Sequence, residues 1–231
     1  MTLSVYAGSN RFITTADGRV TRHSFSFGEH YDPANLGFGP MICHNDDLLD
    51  PAAGYPDHPH TDLEIVTWVL DGVLLHTDDA GNTDELRPGD VQVMSAGSGI
   101  RHAEMADAAS GPTRFIQTWV RPDESGTPPR WRSEHVDPGT GLTTVVGPGA
   151  LDIGTHGASL RIARLAPGAI VELPDAAHQH VFVAVGGGRL ADQSVDDREL
   201  GSGDAVRLTD QLGATFEAKA DTELLVWDFR R

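Results

Sequence analysis

The chain has 231 residues, 39% of them hydrophobic, with 26 glycines and 14 prolines. This length allows one large domain or two small ones with a sizeable core, and the many turn-forming residues argue against long helices. Asp and Glu number 34 against 17 Lys and Arg, a formal charge of −17, so direct binding to the phosphate backbone of a nucleic acid is not expected.

A single cysteine, Cys43, excludes a disulfide within the chain and a metal site rich in thiolates. The N-terminal residues lack the basic start and apolar core of a signal peptide, and no apolar run is long enough to span a membrane. We therefore expect a cytoplasmic protein that is not associated with a membrane.

Short segments of strand type follow one another along the whole chain, separated by turns that contain Gly, Pro or Asn. The first half predicts strands within 10–30 and at 37–44, 65–70, 73–77, 91–94 and 115–120. The second half predicts strands at 142–146, 159–165, 180–185, 205–208 and 224–229. Residues 121–143 are rich in Pro, Gly and charge and are predicted to be a linker. The pattern favours an all-β sandwich or barrel.

The most informative stretch contains two pairs of metal-ligand residue types. His58-Pro59-His60 and His102-Ala103-Glu104 are separated by a predicted hairpin. Residues i and i+2 of a strand lie on the same face, about 6.5–7 Å apart. Two such pairs on neighbouring strands can surround one ion, because each ligand atom must come within only about 2.0–2.2 Å of it. A lone His is more often structural, but the repeated spacing predicts a metal site.

The two halves of the chain resemble each other, which indicates a duplicated β unit. Segment 64–74 aligns with 180–190, and segment 86–91 aligns with 200–205. In this register His180 takes the place of Glu64.

The second half carries a His178-Gln179-His180 motif, but the alignment argues against a second metal site there. Pro174 and Ala176, neither of which can bind a metal, fall where His58 and His60 stand. We therefore expect His178 and His180 to be structural, and one metal ion per chain, bound by the first half.

These motifs resemble those of the pirin family of the cupin superfamily. The resemblance is carried by Ser24-Phe25-Ser26-Phe27, Tyr31-Asp32-Pro33, His58-Pro59-His60-x3-Glu64, Pro88-Gly89-Asp90-Val91, Gly97-Ser98-Gly99-Ile100 and His102-x-Glu104-Met105. It implies an all-β bicupin, that is, two tandem jelly-roll β-sandwich domains. The expected domains are a metal-binding N-terminal cupin at 1–125 and a C-terminal cupin without the metal site at 126–231.

The resemblance also implies the ligand set. The metal of the pirin family is usually iron. The matching ligands in this sequence are His58, His60, His102 and Glu104. Mn, Co, Ni, Cu and Zn also suit imidazoles combined with a carboxylate. Glu64 matches the glutamate ligand of other cupins, so Glu104 and Glu64 both remain candidates for ligand and for catalytic base.

The resemblance implies an enzyme similar to quercetin 2,3-dioxygenase, which would open the ring of quercetin or a similar flavonol or enol with O₂. Glu104 or Glu64 would take the proton of the substrate hydroxyl. The alternative is a metal-binding, redox-sensing or regulatory protein that acts through a protein partner without turnover. A third hypothesis is a stress protein with a vestigial metal site. The expected partners of the enzyme are a small aromatic or enol substrate and O₂, with neither nucleic acid nor membrane.

Overall fold

The computed structural model describes residues 2–192, 195–210 and 212–230, which consist almost entirely of strands and turns. The helical structure of these residues is limited to a short 3₁₀ turn at Gly8–Asn10. Over the same residues, no helix has the length and apolarity that crossing a membrane requires. The prediction of an all-β chain is confirmed.

The chain divides into two compact units. The first unit comprises Phe12–Val136 and Ile153–Thr155. The second unit comprises the residues through Arg11, Asp137–Asp152 and the chain from His156 onward. This division differs from the predicted boundary between 125 and 126. The N-terminal residues group with the second half because strand β1 (Thr2–Tyr6) pairs with a strand at Ala205–Thr209.

The first unit is built from two antiparallel sheets. Its strands are β2 (Phe12–Ala16), β3 (Arg19–His23), β4 (Met41–Leu49), β5 (Gly54–His60), β6 (Glu64–Asp71), β7 (Leu74–Asp78), β8 (Thr83–Leu86), β9 (Asp90–Ser95), β10 (Ile100–Ala106), β11 (Thr113–Val120) and β12 (Arg130–His135). One sheet has the order β12-β9-β6-β11-β4-β3-β2, and the other has the order β5-β10-β7-β8. Strand β12 lies inside the predicted linker. The linker prediction missed this short strand because prolines and glycines surround it in the sequence.

The second unit repeats this arrangement. Its further strands are β13 (Thr143–Val146), β14 (Ala158–Leu165), β15 (Ile170–Glu172), β16 (His178–Val185), β17 (Gly187–Asp192), β18 (Val195–Gly201), β19 (Ala205–Thr209), β20 (Thr215–Ala218) and β21 (Thr222–Phe229). They form sheets of order β1-β19-β16-β21-β14-β13 and β15-β20-β17-β18. The smaller sheets of the two units thus have the same strand order, as expected of a duplicated unit.

In one strand, the equivalence of residues between the two units differs by two positions from the predicted sequence alignment. The corresponding ladder pairs are Trp68 with Val91 in the first unit and Phe182 with Ala205 in the second. Because Val91 aligns with Ala205, Trp68 corresponds to Phe182. His178 rather than His180 therefore stands in the place of Glu64.

The interior of the first unit is layered along β10, whose side chains alternate between buried and more exposed positions. At one end, Ile100 packs in a cluster with Ile65, Met94 and Ala96. At the other end, Ala106 packs in a cluster with Leu49, Val69, Leu74, Leu86 and Phe115. His102 and Glu104 lie between them on the same face and are each only 1% exposed. The fold thus confines a polar layer between two apolar layers.

Candidate metal centre

The two predicted ligand pairs lie on neighbouring strands of the smaller sheet of the first unit. His58 on β5 is directly opposite His102 on β10. The imidazole centroid of His102 lies 4.5 Å from that of His58 and 5.1 Å from that of His60. One ligand atom from each of the three residues lies within 4.8 Å of the other two. Since imidazole nitrogens bind transition metals at about 2.0–2.1 Å, the three side chains can reach one ion.

Glu104 belongs to a second set that also contains His102. Its third member is His76 on β7, which is directly opposite Glu104 in the ladder between β10 and β7. One ligand atom from each of His76, His102 and Glu104 lies within 4.8 Å of the other two, and all three residues are buried. The described residues therefore hold two overlapping three-residue sets rather than one four-residue set, with His102 common to both.

A register shift in the ladder between β10 and β5 shapes this region. His102 faces His58, whereas Glu104, two residues further along, faces Tyr55, so β5 carries one extra residue. Such bulges bend a strand and redirect side chains near functional sites. Here the bulge brings the Tyr55 side chain beside the His58 imidazole, with 6.2 Å between the ring centroids.

The carboxylate of Glu104 is held by side chains of the opposite sheet. Gln117 Nε2 donates to Glu104 Oε2 at 2.7 Å. Gln92 Nε2 and Thr67 Oγ1 donate to Oε1 at the longer distances of 3.3 and 3.4 Å. A carboxylate that accepts from donors on both oxygens is fixed in direction, which suits a metal ligand.

Two indole rings fix the amides that hold Glu104. Trp119 Nε1 donates to Gln117 Oε1 at 2.9 Å, and Trp131 Nε1 donates to Gln92 Oε1 at 2.9 Å. An indole N–H can only donate, so each glutamine must present its oxygen to the tryptophan and its NH₂ group to Glu104. The hydrogen bonds that run from Trp119 and Trp131 through the two glutamine amides therefore set the orientation of the Glu104 carboxylate.

Two imidazoles of the three-His set, those of His60 and His102, are suited to coordination at neutral pH. Burial, followed by repulsion from His102 and His58, lowers the pKa of His60 to about 4, against a smaller opposing effect of Glu104. Burial likewise lowers the pKa of His102 below its usual value, with Glu104 opposing it. Neutral imidazoles keep a lone pair for a metal ion.

The environment of the three-His set is open on one side and aromatic on another. His58 and His60 are half-buried, whereas His102 is buried. The Trp119 ring stands edge-on to His60 at 5.0 Å between centroids, and Phe27 packs edge-on against Trp119 at 5.2 Å. Aromatic rings of this kind can pack against a planar aromatic molecule bound beside the three imidazoles.

Glu64, the other predicted glutamate, lies elsewhere in the first unit. It is 2% exposed at the start of β6, and its Oε2 accepts a hydrogen bond from Ser95 Oγ at 2.8 Å. A Cβ atom at Gly154 would lie 2.5 Å from its Oε1, so the 153–155 segment runs directly over this carboxylate. Glu64 is a member of neither metal-capable set in the described part of the chain.

The second unit has apolar side chains where the first unit has ligand types. In its smaller sheet, Phe216 on β20 faces Val171 on β15 and Leu190 on β17, as His102 on β10 faces β5 and β7. All three are buried in the hydrophobic core of that unit. The ladder partner of Phe216 is Val171, so Val171 is the counterpart of His58. The sequence alignment is wrong here, because it places Pro174 and Ala176 at the positions of His58 and His60. The physical conclusion is the same, since valine cannot bind a metal either.

His180 lies on the larger sheet of the second unit, away from those positions. It is fully buried, and burial, followed by repulsion from Arg207 and Arg11, holds its pKa well below the usual value. Two guanidinium groups beside an imidazole oppose the approach of a further cation. Neither His178 nor His180 is in a metal-capable set of the described residues.

Comparison with known proteins identifies the family. Residues 7–120 match the family model Pirin, and residues 149–229 match the model of the quercetinase C-terminal cupin domain. A Mycobacterium tuberculosis protein provisionally named quercetin 2,3-dioxygenase is 44% identical over 98% of this chain and 95% of its own length. The chain belongs to the pirin family.

A second relative and a solved structure resemble this pirin over most of their length. The quercetin 2,3-dioxygenase of Escherichia coli K12 is 32% identical over 89% of each protein. The crystal structure of the bacterial pirin YhhW from Escherichia coli in complex with nickel(II) superposes with a TM-score of 0.89 at 27% identity, covering 99% of both chains. The predicted bicupin architecture is thus confirmed.

Whether the site of this pirin suits a metal ion can be judged from its own atoms. Neither ring nitrogen of His102 has a hydrogen-bond partner among the described residues, although both nitrogens are buried. A buried polar atom without a partner costs roughly 1–3 kcal/mol, and coordination would remove that cost for one nitrogen. Together with the lowered pKa values of His60 and His102 and the oriented carboxylate, this fits a divalent transition metal.

Three residues around the site were missed by sequence reasoning: His76, Gln92 and Trp131. His76-x-Asp78 has the same His-x-carboxylate spacing as His102-x-Glu104, so this signal was present in the sequence. Gln92 had no signal, because only the pairing of sheets reveals its contact. Trp131 lies in the segment predicted to be a linker.

Proposed function

We propose that this pirin is a metal-dependent dioxygenase that opens the ring of a flavonol such as quercetin, or of a similar enol, with O₂. The single observation that carries the proposal is the trio of imidazoles at His58, His60 and His102, half-open to solvent and backed by an oriented carboxylate. The name of the Escherichia coli relative supports the substrate class.

The ligands in this proposal are His58, His60, His102 and Glu104, with one divalent metal per chain. Iron is the expected metal, and the nickel in the structure of the Escherichia coli pirin supports a site that accepts other divalent ions as well. The bound metal would supply positive charge that stabilises an enolate oxygen of the substrate.

Glu104 is the proposed base. Its carboxylate accepts the 2.7 Å hydrogen bond from Gln117 on one oxygen, and the donors to the other oxygen are more distant. That less firmly bound oxygen, Oε1, is the atom proposed to take the hydroxyl proton of the substrate. Trp119 and Phe27 would position the flat ring of the substrate, because stacked or edge-on aromatic contacts favour a fixed orientation.

Glu64 remains the second candidate on sequence grounds. Its hydrogen bond with Ser95 and its place beneath Gly154 favour a structural role in this chain. The two glutamates are distinguished by metal content after Glu104→Gln and Glu64→Gln. Glu104→Gln is expected to lower metal affinity, and Glu64→Gln is expected to leave it unchanged. The opposite pattern would reverse the assignment.

The activity is tested by loading metal-free protein separately with Fe(II), Mn(II), Co(II), Ni(II) and Cu(II). Quercetin absorbance and O₂ consumption are then recorded together. At least one metal is expected to give equal molar loss of quercetin and O₂, and His102→Ala is expected to abolish both. Absence of O₂ uptake with all five metals would refute the proposal. Full metal binding without O₂ uptake would instead favour a regulatory protein that acts through a partner.

A further inference from the structure

We propose that His76 is also a metal ligand, and that His76, His102 and Glu104 form an inner metal position that overlaps the outer set of His58, His60 and His102. The inference rests on the metal binding assigned above to His102 and Glu104. It does not depend on turnover of any substrate.

The position of His76 in the sheet is the first argument. Strand β10 is paired with β5 on one side and with β7 on the other, so its inward-facing residues have neighbours on both sides. Glu104 is directly opposite His76, and a ligand atom of each lies within 4.8 Å of a ligand atom of His102. The imidazole centroids of His76 and His102 are 5.5 Å apart.

The second argument is the pairing of the two ring nitrogens of His76. Nε2 lies 3.3 Å from Asp78 Oδ2, and both side chains are fully buried. Nδ1 is buried and has no hydrogen-bond partner among the described residues. Imidazoles that bind metals characteristically donate the N–H of the other nitrogen to a carboxylate, which leaves one lone pair directed at the metal. His76 fits this pattern, because Nε2 lies beside the Asp78 carboxylate and Nδ1 has no other partner among the described residues.

The supports of His76 are themselves fixed. Asn82 donates to Asp78 through its side chain at 2.8 Å and its backbone N–H at 2.9 Å. The Trp131 indole stacks on the His76 ring, with 5.2 Å between centroids and an angle of 18° between the planes. Neither ring rotation nor a shift of the carboxylate is therefore easy, and the ligand geometry is set before any ion arrives.

The two sets share His102, and the proposed function assigns Glu104 to an ion at the outer position as well. Two divalent ions that shared these residues would lie within a few ångströms of each other and repel strongly. The chain is therefore expected to hold one ion at a time, at the half-open outer position or at the buried inner one. At the inner position, His76 would bind the ion in place of His58 and His60. All three residues of the inner set are buried, so the ion would be shielded from solvent.

The experiment isolates the inner set. In a His58→Ala/His60→Ala variant, the outer set is lost while His76, His102 and Glu104 remain. Equilibrium dialysis with Ni(II) is expected to give one ion per chain for this variant, with affinity below that of the wild type. Adding His76→Ala is expected to lower the affinity a further 10-fold or more, and Asp78→Asn about 10-fold.

The matched control adds His135→Ala instead, which also removes one imidazole but at a side chain 66% exposed. This substitution is expected to leave Ni(II) affinity unchanged. Equal affinities after His76→Ala and His135→Ala would overturn the inference.

A second readout needs no change at His76 and therefore survives if His76→Ala fails to fold. Pulsed EPR of Cu(II) bound to the His58→Ala/His60→Ala variant counts the coordinated imidazoles. Two are expected, from His76 and His102, whereas one imidazole, or no bound copper, would contradict the inner position. Because this experiment measures binding alone, failure of quercetin turnover would leave its result intact.

Discussion

Asp47 offers a test of how the polar interior of the first unit is balanced. This carboxyl group on β4 is 1% exposed, and Thr21 Oγ1 and Tyr55 Oη both donate to its Oδ1. Burial raises its pKa from 3.8 to about 7. The two hydrogen bonds oppose this shift, and the charges of Asp46 and Glu104 add to it. We predict that Asp47→Asn stabilises the protein at alkaline pH much more than at acidic pH.

The size and sign follow from linkage. A carboxyl group whose pKa is higher in the folded state binds more protons there, so its contribution lowers the free energy of unfolding as pH rises from about 4 to about 7. Each pKa unit is worth about 1.4 kcal/mol, so the penalty at Asp47 reaches about 4 kcal/mol above pH 8 and is about 1.5 kcal/mol at pH 5. Asparagine keeps the acceptor oxygen and carries no charge. The gain from Asp47→Asn should therefore grow by about 2–3 kcal/mol between pH 5 and pH 8.

Urea unfolding of metal-free protein at pH 5, 6, 7 and 8, followed by tryptophan fluorescence, measures this difference. Three of the four tryptophans lie in the first unit, so the signal reports mainly on the unit that contains Asp47. Asp50→Asn, at an exposed carboxylate of the first unit, is the control and should give a difference that hardly varies with pH. A gain at Asp47→Asn that is constant or shrinks as pH rises would refute the reasoning.

Three further predictions concern the metal. Gln117→Leu, which removes the 2.7 Å hydrogen bond to Glu104, should lower Ni(II) affinity 10- to 100-fold in equilibrium dialysis. Trp131→Phe keeps an aromatic ring but loses the indole N–H, so it should lower Ni(II) affinity less than Gln117→Leu does in the same assay. His178→Ala combined with His180→Ala should leave metal content, measured by elemental analysis, at one ion per chain. Loss of metal from that double variant would contradict the expected asymmetry.

The sequence was informative wherever a property depended on local spacing. Short segments of strand type between turn residues predicted most strands, and the His-x-His and His-x-Glu pairs pointed to side chains that the structure brings onto neighbouring strands. The strand predicted at 115–120 carries Gln117 and Trp119, which are two residues apart on one face and both lie at the site. Local spacing carries these features because a strand fixes which residues share a side.

Contacts between distant strands could not be predicted in this way. The pairing of β7 with β10 places His76 opposite Glu104, and the chain gives no local sign of which strands become neighbours. Trp131 was missed for a related reason, since its strand is stabilised by pairing with β9 rather than by its own composition. The division at Arg11 likewise depends on a pairing between the two ends of the chain.

The two units differ in the side chains that lie between their sheets. In the second unit, Val171, Leu190 and Phe216 fill the space between the sheets, and their burial stabilises that unit directly. In the first unit, the equivalent layer holds His102 and Glu104, whose burial is unfavourable without partners. Donors from the opposite sheet satisfy the carboxylate, but neither nitrogen of His102 has a hydrogen-bond partner among the described residues. The layer that is apolar in the second unit is therefore polar in the first unit. A bound metal ion would supply the partner that the buried His102 imidazole lacks.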